Sequence, residues 1–301
     1  MSVPEFQSFL KPLLDIALDG KVHTTKEARE IIAKKMNLTE EDLKEVLPSG
    51  TQTKFDNRVA WAKSYFQQAK VLSSPMRGAF QITERGHELH HQNHERISIA
   101  ILNQYPEFLE FHTGNRQNKE SANVSEGTSE TPEELLQKSY QSIRKDLANE
   151  VLDRIKNNSP KFFEQLVVDL MIAMGYGGSR ADAGKSIGQS GDEGIDGIIK
   201  EDKLGLDVIY LQAKRWEGTV GRPEIHRFVG ALHGKRARKG VFITTGRFSE
   251  DAIEYVENID PKVILIDGMQ LSSLMIDFNL GTSITTVYEI KRIDSDYFAE
   301  E

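Results

Sequence analysis

The chain has no cysteine among its 301 residues, which excludes both a disulfide framework and a thiolate metal site. It also lacks any run approaching the roughly 18 apolar residues of a membrane span. Its first residues, MSVPEFQSFL, show neither the basic head nor the apolar stretch of a secretory leader. Positive charge is in deficit. Thirty-eight Lys and Arg stand against 46 Asp and Glu, a formal net charge of −8, which argues against indiscriminate binding to nucleic acid. A soluble protein of a reducing, cytoplasmic compartment with no membrane partner is expected. The length suggests two domains, each large enough to bury its own core.

What is present is unevenly distributed. From residue 112 to 132 the chain reads HTGNRQNKESANVSEGTSETP, polar throughout and nearly devoid of apolar side chains. Such a segment cannot bury enough surface to fold alone. A linker is therefore expected at 112–132, between domains at 1–111 and 133–301. Two stretches concentrate cations. Between Gln52 and Gly86, Lys54, Arg58, Lys63, Lys70, Arg77 and Arg85 face only Asp56 and Glu84. Between Tyr210 and Gly240, eight basic residues, among them Lys214, Arg215 and Arg222, face only Glu217 and Glu224. Charge runs are commonly solvated faces, but two in an acidic protein point to DNA.

In the first domain, PEFQSFLKPLLDIAL carries apolar residues at helical spacing, and TTKEAREIIAKKM opens on threonines suited to an N-cap. EEDLKEVL predicts a third helix. TKFDNRVAWAKSYFQQAKVL predicts a fourth with Arg58, Lys63 and Gln67 outside its apolar face, a candidate recognition helix. SSPMRGAFQITERG then reads as a hairpin with Arg77 and Gly78 at its tip, followed by a helix capped at Thr83. Helices followed by a hairpin predict a mainly α winged helix, with Lys54, Arg58, Lys63 and Arg77 as DNA contacts. A helical protein-interaction domain is the plainer alternative.

In the second domain a long amphipathic helix from 133 to 156 precedes strands at 194–200, 208–214, 240–245 and 262–267. Helices are expected at 223–234, 249–258 and 270–278, and an edge strand at 283–292. This alternation predicts an α/β domain with a mixed central sheet. VFITT, apolar at nearly every position, should be a central strand buried on both faces. The 194–200 and 208–214 strands are separated by a short polar segment and should pair as antiparallel neighbours. Along the second of them Gln212 and Lys214 share one face, where Asp196 can meet them. One carboxylate, one amide and one ammonium would then converge. A hard divalent cation on the carboxylate can polarise a phosphate, while the lysine orients or deprotonates the attacking water and offsets developing charge.

GIDG followed at this distance by QAKRW resembles the catalytic core of the Mrr-type restriction endonucleases, of the PD-(D/E)xK nuclease superfamily. SPKFFEQLVVDLMIAMGYGG at 159–178 is similar to that family's first helix, and KGVFITTGRFS at 239–249 is similar to a later motif. The resemblance implies a restriction-endonuclease-like fold and a catalytic set of Asp196, Gln212, Lys214 and Glu164. It implies metal ligation by Asp196, Glu164 and the carbonyl of Ala213, with Mg²⁺ as cofactor and Mn²⁺ able to replace it. Gln212 occupies a position that is acidic in most of the superfamily, and an amide is a weaker ligand for Mg²⁺ than a carboxylate. Asp192 and Glu193 could add charge to the site or serve only as turn acids.

The implied activity is cleavage of methylated foreign double-stranded DNA at the nucleoid. A homodimer or higher homo-oligomer is expected, because one site cuts one strand. Arg215 and Arg222 are further candidate DNA contacts. The competing reading is a DNA-binding regulator on an inactive nuclease fold. A remoter one is a zinc hydrolase, since His87-Glu88-Leu89-His90-His91 matches HExxH, with Glu107 or Glu110 as third ligand. Gly184-Lys185-Ser186 echoes a phosphate-binding loop, but Ser179 stands where its first glycine belongs, so no nucleotide cofactor is expected.

Overall fold

The computed structural model describes residues 3–48, 50, 52–113, 130–177, 194–202 and 204–291. The chain divides into two compact units, with the boundary between Gln141 and Ser142.

In the first unit, a 3-10 turn at Phe6–Phe9 leads into helix α1 (Leu10–Ala17). The helix buries Leu10, Leu13, Leu14 and Ala17, an i, i+3, i+4, i+7 stripe that meets the core. Strand β1 (His23–Thr24) runs into α2 (Thr25–Lys35) through a reciprocal cap. There the Thr24 hydroxyl accepts from Glu27 N–H and the Glu27 carboxylate accepts from Thr24 N–H. Thr39 and Asp42 repeat that arrangement at α3 (Glu40–Lys44). Helix α4 (Lys54–Gln68), capped by Thr53, is followed by β2 (Leu72–Ser73), β3 (Ala79–Ile82) and α5 (Glu84–His91), whose cap is Thr83. The three strands form an antiparallel sheet in the order β1-β3-β2. Short helices α6 (Ile99–Leu102) and α7 (Pro106–Thr113) complete the chain up to the undescribed segment 114–129.

Both ends of the expected linker belong to ordered structure. Helix α7 runs past residue 112, and Thr131 is fully buried, its hydroxyl donating to Asn57 Oδ1 at 2.7 Å. The division between units therefore falls inside helix α8 (Pro132–Lys156), not ahead of it. The physical reason lies in Glu133 and Glu134, which reach Trp61 and Arg58 of α4 and tie the start of α8 to the first unit.

In the second unit, α8 ends against α9 (Pro160–Ala173), which Ser159 caps. The remaining elements alternate: β4 (Gly197–Lys200), β5 (Val208–Lys214), β6 (Thr219–Val220), α10 (Arg222–Gly234), β7 (Lys239–Thr244), β8 (Arg247–Phe248), α11 (Glu250–Glu257), β9 (Lys262–Ile266) and α12 (Gly268–Asp277). The main sheet has the order β4-β5-β7-β9. Its β4-β5 pair is antiparallel, and the β5-β7 and β7-β9 pairs are parallel. One face, through Ile199, Leu211 and Ile243, packs with Phe163 and Leu166 of α9 and with Leu271 of α12. The other, through Phe242 and Val263, packs with Ile225 and Phe228 of α10 and Ala252 of α11. The result is a three-layer α/β/α unit in which β7 is buried on both faces, as VFITT predicts. Gly240 is required there, because a Cβ would lie 2.8 Å from both Leu232 and Phe228.

The edge strand expected at 283–292 is absent from its described part. Residues 283–291 adopt no strand, and Ile284, Val287, Tyr288 and Ile290 are 70–80 % exposed. No helix among the described residues is long and apolar enough to cross a membrane.

Candidate functional site

The open end of the β4-β5 pair gathers the residues that the motif spacing singles out. Asp196 stands just before β4 and extends its ladder, its N–H donating to Leu211 O at 2.8 Å. Its carboxylate turns toward the end of β5, where Oδ2 accepts from the Gln212 side-chain amide at 2.7 Å and from Ala213 N–H at 2.8 Å. Among the described residues no hydrogen bond reaches Oδ1. Strand alternation does the positioning. Ile209, Leu211 and Ala213 face the core shared with α9, while Tyr210, Gln212 and Lys214 face the other way. Gly194 lets the chain pass close by, with φ at +103° and a hypothetical Cβ only 3.1 Å from Gln212 Oε1.

Glu164, on α9, completes a pair of carboxyl groups. Burial raises its pKa above the ordinary glutamate value, and the Asp196 charge adds to the rise while Lys161 opposes it. Asp196 is also raised, again by burial first, against the Ala213 N–H, the Gln212 amide and the Lys214 charge. Two half-buried carboxyls, the charge of one raising the other, with too little donor support to offset desolvation, form a site that a cation would relax. Among the described residues no cluster holds three or more His, Cys, Asp or Glu. Among the described residues the oxygen donors are the two carboxylates, Gln212 Oε1 and the carbonyl of Ala213, which lies on the same strand edge as the N–H bound to Asp196. Hard oxygen donors of this kind fit a divalent cation that keeps several waters and shares its coordination with substrate phosphate.

Lys214 ends β5 half-buried, its Nζ 4.3 Å from the centre of the Trp216 ring and ion-paired with Glu224 on α10. Motif spacing does not reveal Glu224. Its sequence signal is an acid in the first turn of a helix, a position that usually means only favourable dipole placement.

The remaining candidates are scattered. Arg58 requires correction: its side chain is 12 % exposed, pairs with Glu134 at 2.7 Å and donates to the carbonyls of Val3 and Pro4. It is an internal strut of the first unit, taken up by Glu134 and two backbone carbonyls instead of being presented to solvent. Lys54 is ion-paired with Glu45. Lys63 donates to Thr25 Oγ1 at 3.0 Å, with its pKa lowered by burial and by Arg29. Arg77 is exposed in the β2-β3 turn. Arg215, although exposed, donates to the carbonyls of Lys156 and Asn158 at 2.7 and 2.8 Å and so closes the α8-α9 turn. Arg222 is exposed and lies over the Tyr255 ring at 4.9 Å. His87 and His91 of the HExxH match are exposed on α5, and Glu107, the proposed third ligand, is taken up by Arg85 and Lys70. Asp192, Glu193 and the 184–186 segment lie outside the described residues.

Two family models match the chain: the Mrr N-terminal domain over residues 6–92 and a restriction endonuclease domain over residues 155–275. A relative from Escherichia coli (strain K12), the type IV methyl-directed restriction enzyme EcoKMrr, is 33 % identical over 311 aligned positions, covering 99 % of this chain and 100 % of its own. The chain belongs to the Mrr family of restriction endonucleases.

Membership extends over both units, since the relative is matched from end to end. Two solved structures are also similar. One is the DNA modification-dependent restriction endonuclease AspBHI, 20 % identical over 46 % of this chain and 36 % of its own, with a TM-score of 0.35. The other is the MspJI restriction endonuclease in complex with a 27-mer oligonucleotide, 23 % identical over 46 % and 33 %, with a TM-score of 0.32. The chain spans about a third of the length of these two.

Proposed function

We propose that this Mrr-family endonuclease hydrolyses phosphodiester bonds of methylated double-stranded DNA in the bacterial cytoplasm, using a divalent cation held by Asp196, Glu164 and the Ala213 carbonyl. Mg²⁺ is the proposed ion, with Mn²⁺ as a substitute. One observation carries the assignment: Asp196, its Oδ2 held by Gln212 and the Ala213 N–H, lies within reach of the Lys214 charge, and its own charge raises the pKa of Glu164. When bound, the cation supplies Lewis acidity toward the scissile phosphate and acidifies a coordinated water. Asp196 holds one oxygen fixed through Gln212 and Ala213 and leaves the other for ligation. Lys214 directs its ammonium at the phosphate, where it orients the attacking water and offsets charge that grows on the phosphoryl oxygens.

The first unit serves as the DNA reader. Its order of helix, short strand, three helices and a two-stranded hairpin, in a β1-β3-β2 sheet, supports a winged helix with Arg77 on the wing. Methyl reading comes to this chain by way of the E. coli relative. A double-strand break needs two sites, so the active form is a homodimer or larger.

The test is cleavage of one plasmid in adenine-methylated, cytosine-methylated and unmethylated forms with Mg²⁺, wild type beside Asp196→Ala. Wild-type cutting confined to a methylated form supports the reading. Equal cutting of all forms removes the methyl dependence and keeps the nuclease, whereas cutting by Asp196→Ala at the wild-type rate refutes the site. A regulator on a silent fold would bind the plasmid, cut none of the forms and give no Mn²⁺ isotherm in calorimetry.

A further inference from the structure

The Lys214 ammonium is held by more than strand geometry. A lysine side chain carries about 2 kcal/mol of rotamer entropy, and a cation that stabilises a transition state acts best when it is fixed beforehand. In this structure Nζ sits over the Trp216 ring and against Glu224 Oε2. Glu224 is itself well fixed. Its side chain is 15 % exposed, its N–H donates to Gly221 O at 3.1 Å, and its second oxygen takes Arg227 Nη1 at 3.0 Å. The next residue, Ile225, and Phe228 one turn on are buried in the core, so α10 cannot roll away. The β6-β8 pair pins the intervening chain, with Val220 fully buried.

An acid in the first helical turn has a plain explanation in the helix dipole, and an exposed ion pair contributes little. Neither accounts for a sheltered carboxylate aimed back across ten residues at one particular lysine, with an aromatic face closing the other side. We infer that Glu224 is the positioning residue of this nuclease. It holds the Lys214 Nζ in place at the end of β5, while Trp216 limits where that group can move. The inference rests on the assignment of Lys214 to catalysis.

The experiment compares Glu224→Gln, Glu224→Asp, Lys214→Ala and the Glu224→Gln/Lys214→Ala double variant. It reads kcat and KM on the methylated plasmid that wild type cuts, and DNA affinity in EDTA by fluorescence anisotropy. A lost charge-assisted hydrogen bond corresponds to about tenfold to a hundredfold. Glu224→Gln should lower kcat by that factor while KM and DNA affinity stay within about threefold. Glu224→Asp, which keeps the charge on a shorter arm, should recover part of the rate. In the Lys214→Ala background Glu224→Gln should cost nothing further, because the residue it positions is gone.

Wild-type kcat in Glu224→Gln overturns the inference, as does a loss confined to KM or an equal loss on top of Lys214→Ala. Should Glu224→Gln not fold, Glu224→Ala takes its place on the same readouts, and wild-type kcat there refutes the role. Lys214→Ala distinguishes the two levels of failure. If it cuts at the wild-type rate the site assignment itself falls, and if it is dead while Glu224→Gln is unaffected only the positioning role does.

Discussion

Two carboxylates of the first unit and two of the second are treated in opposite ways. In the first unit Glu107 is held by Arg85 and Lys70, which lower its pKa to about 2, and Glu134 is buried with Arg58 as its partner. In the second unit Asp196 and Glu164 are pressed upward by burial and, for Glu164, by the neighbouring charge as well. A protein selected only for stability would supply Asp196 and Glu164 with cations as it does Glu107. Leaving two acids under-compensated at one strand end costs folding free energy and is characteristic of a binding site for a cation the chain does not itself provide. The same contrast runs through the basic residues. Arg58 is consumed by the fold, whereas Lys214 is fixed but still a third exposed.

The largest expected effect breaks the comparison at its functional end. Asp196→Ala should reduce cleavage by about a thousandfold or more, since it removes the carboxylate proposed to hold the cation, while DNA affinity in EDTA changes little. Plasmid nicking beside anisotropy reads both. Retained cleavage would mean that the raised carboxyls are a burial accident. Next in size is Arg58→Ala, which leaves Glu134 buried without its partner and two carbonyls without a donor, and should destabilise the first unit by about 3 kcal/mol in urea. A loss of DNA binding with unchanged stability would instead return Arg58 to the DNA face.

Much of this contrast was legible in advance only at the second unit. Alternation along Val208–Lys214 placed Gln212 and Lys214 on one face, and the short polar connection predicted the antiparallel pair that brings Asp196 to them. Those are consequences of strand period and turn length, both local. The helix pattern leaves Arg58 on an open face because the partner that buries it, Glu134, is 76 positions away, and such a pattern reports the face that meets its own core without naming what covers the rest. Residues 283–291 show the converse. Ile284, Val287 and Ile290 carry strand propensity, but a strand exists only where a neighbour offers a ladder. Glu224 was hidden because a first-turn acid is common and its target lies on another element.

A smaller effect sharpens the contrast through Glu164→Gln. The raised pKa means that ionised Glu164 opposes folding; this penalty is absent below the ordinary glutamate value and grows as pH rises through the folded one. The variant should therefore be slightly more stable than wild type near pH 7, by about 0.5 kcal/mol after screening at a half-exposed position. It should lose that advantage near pH 4 and cleave more slowly. Thermal melts at the two pH values check it, and a destabilised variant at pH 7 would show that Glu164 is a structural acid.

The smallest effect has the opposite sign. Glu107 has its pKa lowered by the Arg85 hydrogen bond first and by Lys70 next, so its contribution to stability is fully present above the ordinary value of 4.5 and disappears as pH falls toward about 2. Glu107→Gln should melt at a slightly lower temperature than wild type at pH 7, because the exposed pair is well screened, and the two melting curves should converge by pH 2. Glu164→Gln and Glu107→Gln remove the same charge from the same chain. If their melting shifts at pH 7 share a sign, the division between compensated and uncompensated carboxylates is wrong. If the signs differ, the acid that stabilises by leaving is the one placed for a cation.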